Sequence, residues 1–119
     1  VVEDDMLKDS LEMTDEDREI ILNSCLESQE NRILISHGTD TMVETAKYIA
    51  DKIKDKTIVL FGAMIPYRVN GSDALFNLGF ALSAVQTLDI GIYIAMNGKI
   101  FEWDNVKKNK EIGVFVKIK

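Results

Sequence analysis

The sequence predicts an α/β fold: a three-layer, doubly wound, mainly parallel sheet with helices on both faces and a hairpin near the C-terminus. Three observations predict it. Short β-branched runs alternate with longer segments of helical period, in the order strand, helix, strand, helix, strand. The runs at 33–36, 57–61 and 90–95 are almost continuously apolar, as strands covered on both faces require. Asn97-Gly98, set between two strand-like runs, is the two-residue signal of a type I′ hairpin.

Taken in order, Thr14 opens the first helix, and Asp15, Glu16 and Asp17 occupy its first turn, where carboxylates favour the positive end of the helix dipole. Ile20, Ile21, Cys25 and Leu26 are expected on its inner face as it runs toward Glu27. The strand at 33–36 leads directly into the loop His37-Gly38-Thr39-Asp40. Thr41 with Glu44 three residues on reads as a capping box for the second helix, whose apolar stripe is Val43, Ala46, Ile49, Ala50 and Ile53. The strand at 57–61 ends in Gly62-Ala63, and a loop from 64 to 71 carries Pro66, Arg68 and Asn70-Gly71. Ser72 is the expected cap of a third helix reaching about Leu88. After the hairpin comes a lysine-rich turn, and 114–118 reads as a last strand at a sheet edge.

The chain has 119 residues, so one domain spanning 1–119 is expected at ~100–200 residues per domain. With 46% apolar and 29% charged residues it has the composition of a folded globular protein. A net charge of −6 with few aromatics argues against nucleic acid as a partner. No apolar run approaches the ~18 residues that cross a bilayer, so no membrane partner is expected. The single cysteine, Cys25, has no internal partner and reads as core, which fits a reducing compartment such as the cytoplasm. Charge is uneven: nine acids stand between Glu3 and Glu19, and six lysines between Lys99 and Lys119. Two solvated faces account for that.

In an open α/β sheet, ligands bind beyond the carboxyl ends of the strands, where loops enter helix N-termini. The loop 37–41 is the one best placed by that rule. Gly38 lets backbone approach a ligand, Thr39 offers a hydroxyl, and Asp40 offers a carboxylate for an ammonium group. Spacing alone favours the plainer reading, in which Thr39 and Asp40 cap a helix. Taken singly, Ser10 reads as a turn residue and Lys108, in the run Lys107-Lys108-Asn109-Lys110, as a solvated surface lysine. His37 reads as a strand-end residue that holds the loop; one histidine makes no metal site, and no metal or other cofactor is expected.

The segment His37-Gly38-Thr39-Asp40-Thr41-Met42 with Glu44-Thr45-Ala46 resembles an active-site signature of the bacterial-type L-asparaginase family. Collinear segments extend the resemblance: Phe61-Gly62-Ala63-Met64 with Pro66, Phe76-Asn77-Leu78, Ala95-Met96-Asn97, and Asn105-Val106-Lys107-Lys108-Asn109. Upstream, Asp9-Ser10-Leu11-Glu12-Met13-Thr14-Asp15 resembles that family's serine-bearing substrate loop. The resemblance implies a Thr39–Lys108–Asp40 cluster, with Asp40 also binding the substrate's α-ammonium group. It implies that Ser10 holds the α-carboxylate and that Gly38 and Ala63 line the substrate with backbone. The implied chemistry is hydrolysis of a small amino-acid amide through a threonine-centred acyl-enzyme, with Lys108 acting as base or as electrostatic support.

Three departures from the family pattern bear on that expectation. The family's other threonine, usually assigned as its nucleophile, lies in a Gly-Gly-Thr-Ile segment on its first strand, and no Gly-Gly occurs in this sequence. About 40–50 upstream residues, a strand and a long loop, would carry it. Family members also have a second domain that closes a neighbouring subunit's site. A one-domain version leaves one side of the cleft open, so a homo-oligomer, dimer or tetramer, is expected. Leu11 stands where the family has a polar substrate contact, which leaves asparagine and related amides both open. Two other functions share these residues: a non-catalytic amino-acid-binding domain that keeps Asp40 and Ser10 as clamps, and an asparaginase-like module of an amidotransferase.

Overall fold

The computed structural model describes residues 2–3 (backbone), 13–65 and 71–119. Five strands form the main sheet in simple chain order: β1 (Val2–Glu3), β2 (Arg32–Ser36), β3 (Thr57–Phe61), β4 (Gly91–Met96) and β5 (Lys99–Glu102). The first four are parallel, and β4 and β5 form the antiparallel hairpin. Among the described residues, three helices cover the sheet: α1 (Asp15–Glu27), α2 (Met42–Lys52) and α3 (Ala74–Thr87). Strands β6 (Lys107–Asn109) and β7 (Val114–Val116) pair with each other as a separate two-stranded sheet. The expected edge strand at 114–118 is therefore part of this second sheet, and the lysine-rich turn supplies its partner strand. The two-residue β1, at the head of an acidic segment without a strand pattern, was not anticipated.

The strands alternate strictly. Ile33, Ile35, Ile58, Leu60, Ile92 and Ile94 face α1 and α2, whereas Leu34, Val59, Phe61 and Ala95 face α3. This alternation explains the continuous apolar runs, because both faces are covered. Strands β2, β3 and β4 step in one direction, yet α2 and α3 lie on opposite faces. The two crossovers are therefore of opposite hand, and one of them has the hand found in only ~2% of such connections.

The helix ends show where local sequence decided the structure and where packing did. At Thr14 (φ −109°, ψ 170°) a full capping box forms: Thr14 Oγ1 accepts from the Asp17 amide at 3.2 Å, and Asp17 Oδ2 accepts from the Thr14 amide at 3.0 Å. The capping box expected at Thr41 and Glu44 is absent. Thr41 sits at ψ 18°, not in the extended conformation that aims a hydroxyl at the third helical N–H, and makes no side-chain capping bond. The third helix starts later than expected, with Asp73 at the cap position; Ser72 Oγ instead accepts from the Ala74 amide at 3.1 Å and donates to Ile65 O at 2.6 Å. Ile20 and Leu26 of α1 are exposed, and Leu22 is buried beside Ile21 and Cys25. Apolar residues are scattered around this acid-rich helix, so packing against α2 chose the buried arc.

The last turns of α1 and α3 contain no basic residue, and cations from the loop before β3 and from the start of β2 serve them. Lys56 Nζ donates to Cys25 O and Ser28 O, both at 2.7 Å, and Arg32 Nη1 donates to Val85 O at 2.8 Å and Leu88 O at 2.7 Å.

Candidate active site

The carboxyl ends of β2, β3 and β4 converge on one edge, and the site is built there. The His37 amide donates to Phe61 O at 2.9 Å, which carries pairing with β3 one residue beyond β2. A Cβ on Gly62 would meet His37 O at 2.1 Å, so only glycine allows β3 to pass this close to the loop. Asp73 pins the chain that follows β3: its carboxylate accepts from the Met64 amide at 3.1 Å and the Ile65 amide at 3.0 Å. Asn77, fully buried, donates to Gly62 O and Asp73 Oδ2, each at 2.8 Å, and accepts from the Asn97 amide at 3.3 Å. One amide thus fastens the ends of β3 and β4 to α3.

Asp73 responds to its surroundings in two directions. Burial pushes its carboxyl up, but the Ile65 and Met64 amides, its own amide and the Asn77 amide together outweigh burial and hold it below the ordinary 3.8. A carboxyl held low in the folded state stabilises the fold above the unfolded value and loses that contribution as pH falls through the folded one. Thermal melts are therefore expected to fall more steeply between pH 5 and pH 3 in the wild type than in Asp73→Asn, and parallel curves would contradict the assignment.

Lys108 arrives from the second sheet. On β6 it stands opposite Phe115 of β7, and directly opposed residues project from the same side of an antiparallel pair. Phe115 is buried in the core, so Lys108 is carried inward while Lys107 points to solvent. Val106 is also buried, and Asn97 Oδ1 accepts from the Phe115 amide at 2.9 Å, docking the small sheet onto the hairpin turn. Asn97 (φ 57°) and Gly98 (φ 71°) adopt the left-handed pair that a type I′ turn requires.

Lys108 Nζ donates to Thr39 Oγ1 at 2.9 Å and to Asp40 Oδ1 at 2.6 Å, across sequence separations of 69 and 68 residues. The Lys108 side chain is 14% exposed and that of Asp40 31%, so the ion pair lies at the mouth of the edge and not in the core. Thr39 is buried beneath it. A hydroxyl, a carboxylate and an ammonium group thus meet at one point. A carboxylate has about four acceptor sites, and this one keeps capacity for a second cation beyond Lys108. Ala63 follows Gly62 on the adjacent β3 edge and is half-buried. Ser10 and Leu11, with Pro66 and Arg68, lie outside the described residues.

A family model described as "Asparaginase, N-terminal" matches residues 1–114. The chain belongs to the asparaginase family. It is 37% identical over 84 residues to the L-asparaginase of Thermococcus kodakarensis, covering 69% of this chain and 26% of that protein. The solved structure of the thermostable L-asparaginase from the same organism superposes with a TM-score of 0.86 at 32% identity, over 93% of this chain and 36% of that one. A glutamyl-tRNA(Gln) amidotransferase subunit from Methanococcus vannielii is 34% identical over 76 residues, covering 63% of this chain and 18% of that protein. The chain spans about a quarter of the length of the asparaginases it matches.

The asparaginase-like edge includes features the sequence did not disclose. In the sequence Asn77 and Asn97 stand out only within a resemblance and a turn, yet their side chains join three elements there; an amide inside an apolar helix is the available signal. Among the described residues, no group of three His, Cys, Asp or Glu side chains is placed to hold a metal, and no helix is long and apolar enough to cross a membrane.

Proposed function

We propose that this asparaginase-family chain carries part of an amidohydrolase site that cleaves a small amino-acid amide, asparagine or a related one, to the acid and ammonia. The observation that carries this reading is the convergence of Lys108 Nζ on Thr39 Oγ1 and Asp40 Oδ1. A threonine oxygen attacks the amide carbon, and its proton passes to the departing nitrogen. The C–N bond breaks, ammonia leaves, and water hydrolyses the ester. Within this chain the hydroxyl is that of Thr39. Lys108 donates to that oxygen, which supports a role in stabilising negative charge there. Asp40 would hold the α-ammonium group, Gly38 and Ala63 would offer backbone, and Ser10 would hold the α-carboxylate.

The test is ammonia release from L-asparagine and L-glutamine by the intact protein, with Thr39→Ala expected to abolish it. Absence of turnover of either amide would refute the reading.

Self-association belongs to the same reading. The chain carries a net −6, but α3 has no charged residue, and Leu75, Phe76 and Leu82 on it are exposed. Copies of an acidic chain meet with least repulsion through that face. Sedimentation should show a dimer or tetramer that Leu82→Glu dissociates; a monomeric wild type would contradict this.

A second reading is favoured by the similarity to the Methanococcus vannielii amidotransferase. Here the site supplies ammonia to a partner, and a stable partner protein recovered with the intact chain would favour it over free amide hydrolysis.

A further inference from the structure

The site edge holds a buried imidazole that the proposed chemistry does not use. Arg18 Nε donates to Thr45 Oγ1 at 3.1 Å, Thr45 Oγ1 lies 2.8 Å from His37 Nε2, and His37 Nδ1 lies 2.6 Å from Gly38 O. Donor bookkeeping fixes the proton at one end of this chain. A carbonyl only accepts, so Nδ1 carries a hydrogen. The Arg18 nitrogen only donates, so it takes a lone pair of Thr45 Oγ1 and leaves the hydroxyl hydrogen available to a bare Nε2. A neutral imidazole with its proton on Nδ1 satisfies all three bonds, and the burial that disfavours a second proton selects that form.

The carbonyl so gripped belongs to the residue immediately before Thr39. The relay starts on α1, passes through α2 and ends in the loop after β2, so three elements converge on that peptide. We propose that His37 is the positioning residue of this site: through the Arg18–Thr45 relay it fixes the Gly38 carbonyl and thereby holds Thr39 Oγ1 and Asp40 in register with Lys108. This deepens the amidohydrolase reading and rests on it.

The surroundings agree. Burial lowers the affinity of His37 for a second proton; the Gly38 carbonyl raises it, Arg18 lowers it and Glu44 raises it, with the net below 6.5. The charged groups facing the ring are Arg18 of α1 and Glu44 of α2, while β3 meets the residue through backbone at Phe61 O. A second proton would turn Nε2 from acceptor into donor, so the Thr45 hydroxyl hydrogen would have to swing away and the relay would rearrange. The folded form therefore loses stability as pH falls below 6.5.

His37 is the single histidine, so its ring nitrogens can be read without ambiguity by ¹⁵N NMR of the intact protein. The expected result is protonated Nδ1 and bare Nε2 at pH 7, with titration below 6.5. Thr45→Val keeps shape and removes the hydroxyl. It should mix the tautomers, speed amide exchange at Thr39 and Asp40, move the acid limb of the pH–rate profile, and lower kcat about 10–100-fold with little change in KM. Thr45→Ser should restore all four. Protonated Nε2 in the wild type, titration at or above 6.5, or wild-type exchange and kcat in Thr45→Val would overturn the proposal. If the wild type releases no ammonia, the amidohydrolase reading falls, while the tautomer and the loop exchange still decide the role of His37.

Discussion

Lys108→Met is expected to reduce ammonia release from the preferred amide by about 10²–10⁴-fold while leaving the melting temperature almost unchanged. Methionine keeps the length of the side chain and removes the ammonium group that meets Thr39 Oγ1 and Asp40 Oδ1. The stability effect is small because the pair lies at the mouth of the edge, with Asp40 31% exposed, and a solvent-reached pair contributes only ~0–1 kcal/mol. Lys108→Arg should not rescue activity, since a planar fork cannot place one nitrogen on both a hydroxyl and a carboxylate at these distances. Lys107→Met, on the solvent side of the same strand, should behave as wild type. Rates for Lys108→Met within about threefold of wild type would remove this lysine from the chemistry.

Asn77→Ala is expected to be the most damaging substitution for stability. The amide is fully buried and makes three hydrogen bonds, to Gly62 O, Asp73 Oδ2 and the Asn97 amide. Each buried group left without its partner costs ~1–3 kcal/mol, so a loss of about 3–5 kcal/mol is expected, with partial relief where water reaches the gap. For a domain of this size that is a fall of roughly 10–20 °C in Tm by calorimetry. The same bonds hold the ends of β3 and β4, so activity should fall as well, even below the melting range. A shift of less than about 1 kcal/mol would mean that the ends of these strands are held by packing alone.

The frame of this fold could be read from the chain, and the reasons are local. Continuous apolar runs between polar breaks marked β2, β3 and β4, because strands covered on both faces need an apolar residue at every position. Asn97-Gly98 marked the hairpin, because few residues tolerate two successive positive φ values. Thr14 marked the start of α1, because its hydroxyl and the Asp17 carboxylate can satisfy each other across one turn. The cluster chemistry at 39, 40 and 108 was legible only through family resemblance.

What stayed hidden depended on distant contacts. Lys108 sits in a lysine run that reads as solvated surface, and only pairing with Phe115 turns it inward. The buried arc of α1 was set by α2, leaving Ile20 in water. The capping signal at Thr41 failed because the loop after β2 arrives with ψ 18° at that residue, away from the extended conformation of a cap. The opposite hands of the two crossovers have no sequence signature. Nor does the chain from Arg18 through Thr45 to His37, which joins residues whose spacing along the sequence suggests nothing.

The proposed chemistry requires Thr39 and Lys108 to act as one unit. A double-mutant cycle on ammonia release by the intact protein, using Thr39→Ala, Lys108→Met and the two combined, measures that directly. Groups that act together lose their effect together, so the double variant should be no slower than the slower single variant. Losses that multiply, each substitution lowering the rate by the same factor whether or not the other is present, would show two independent side chains and contradict the shared site.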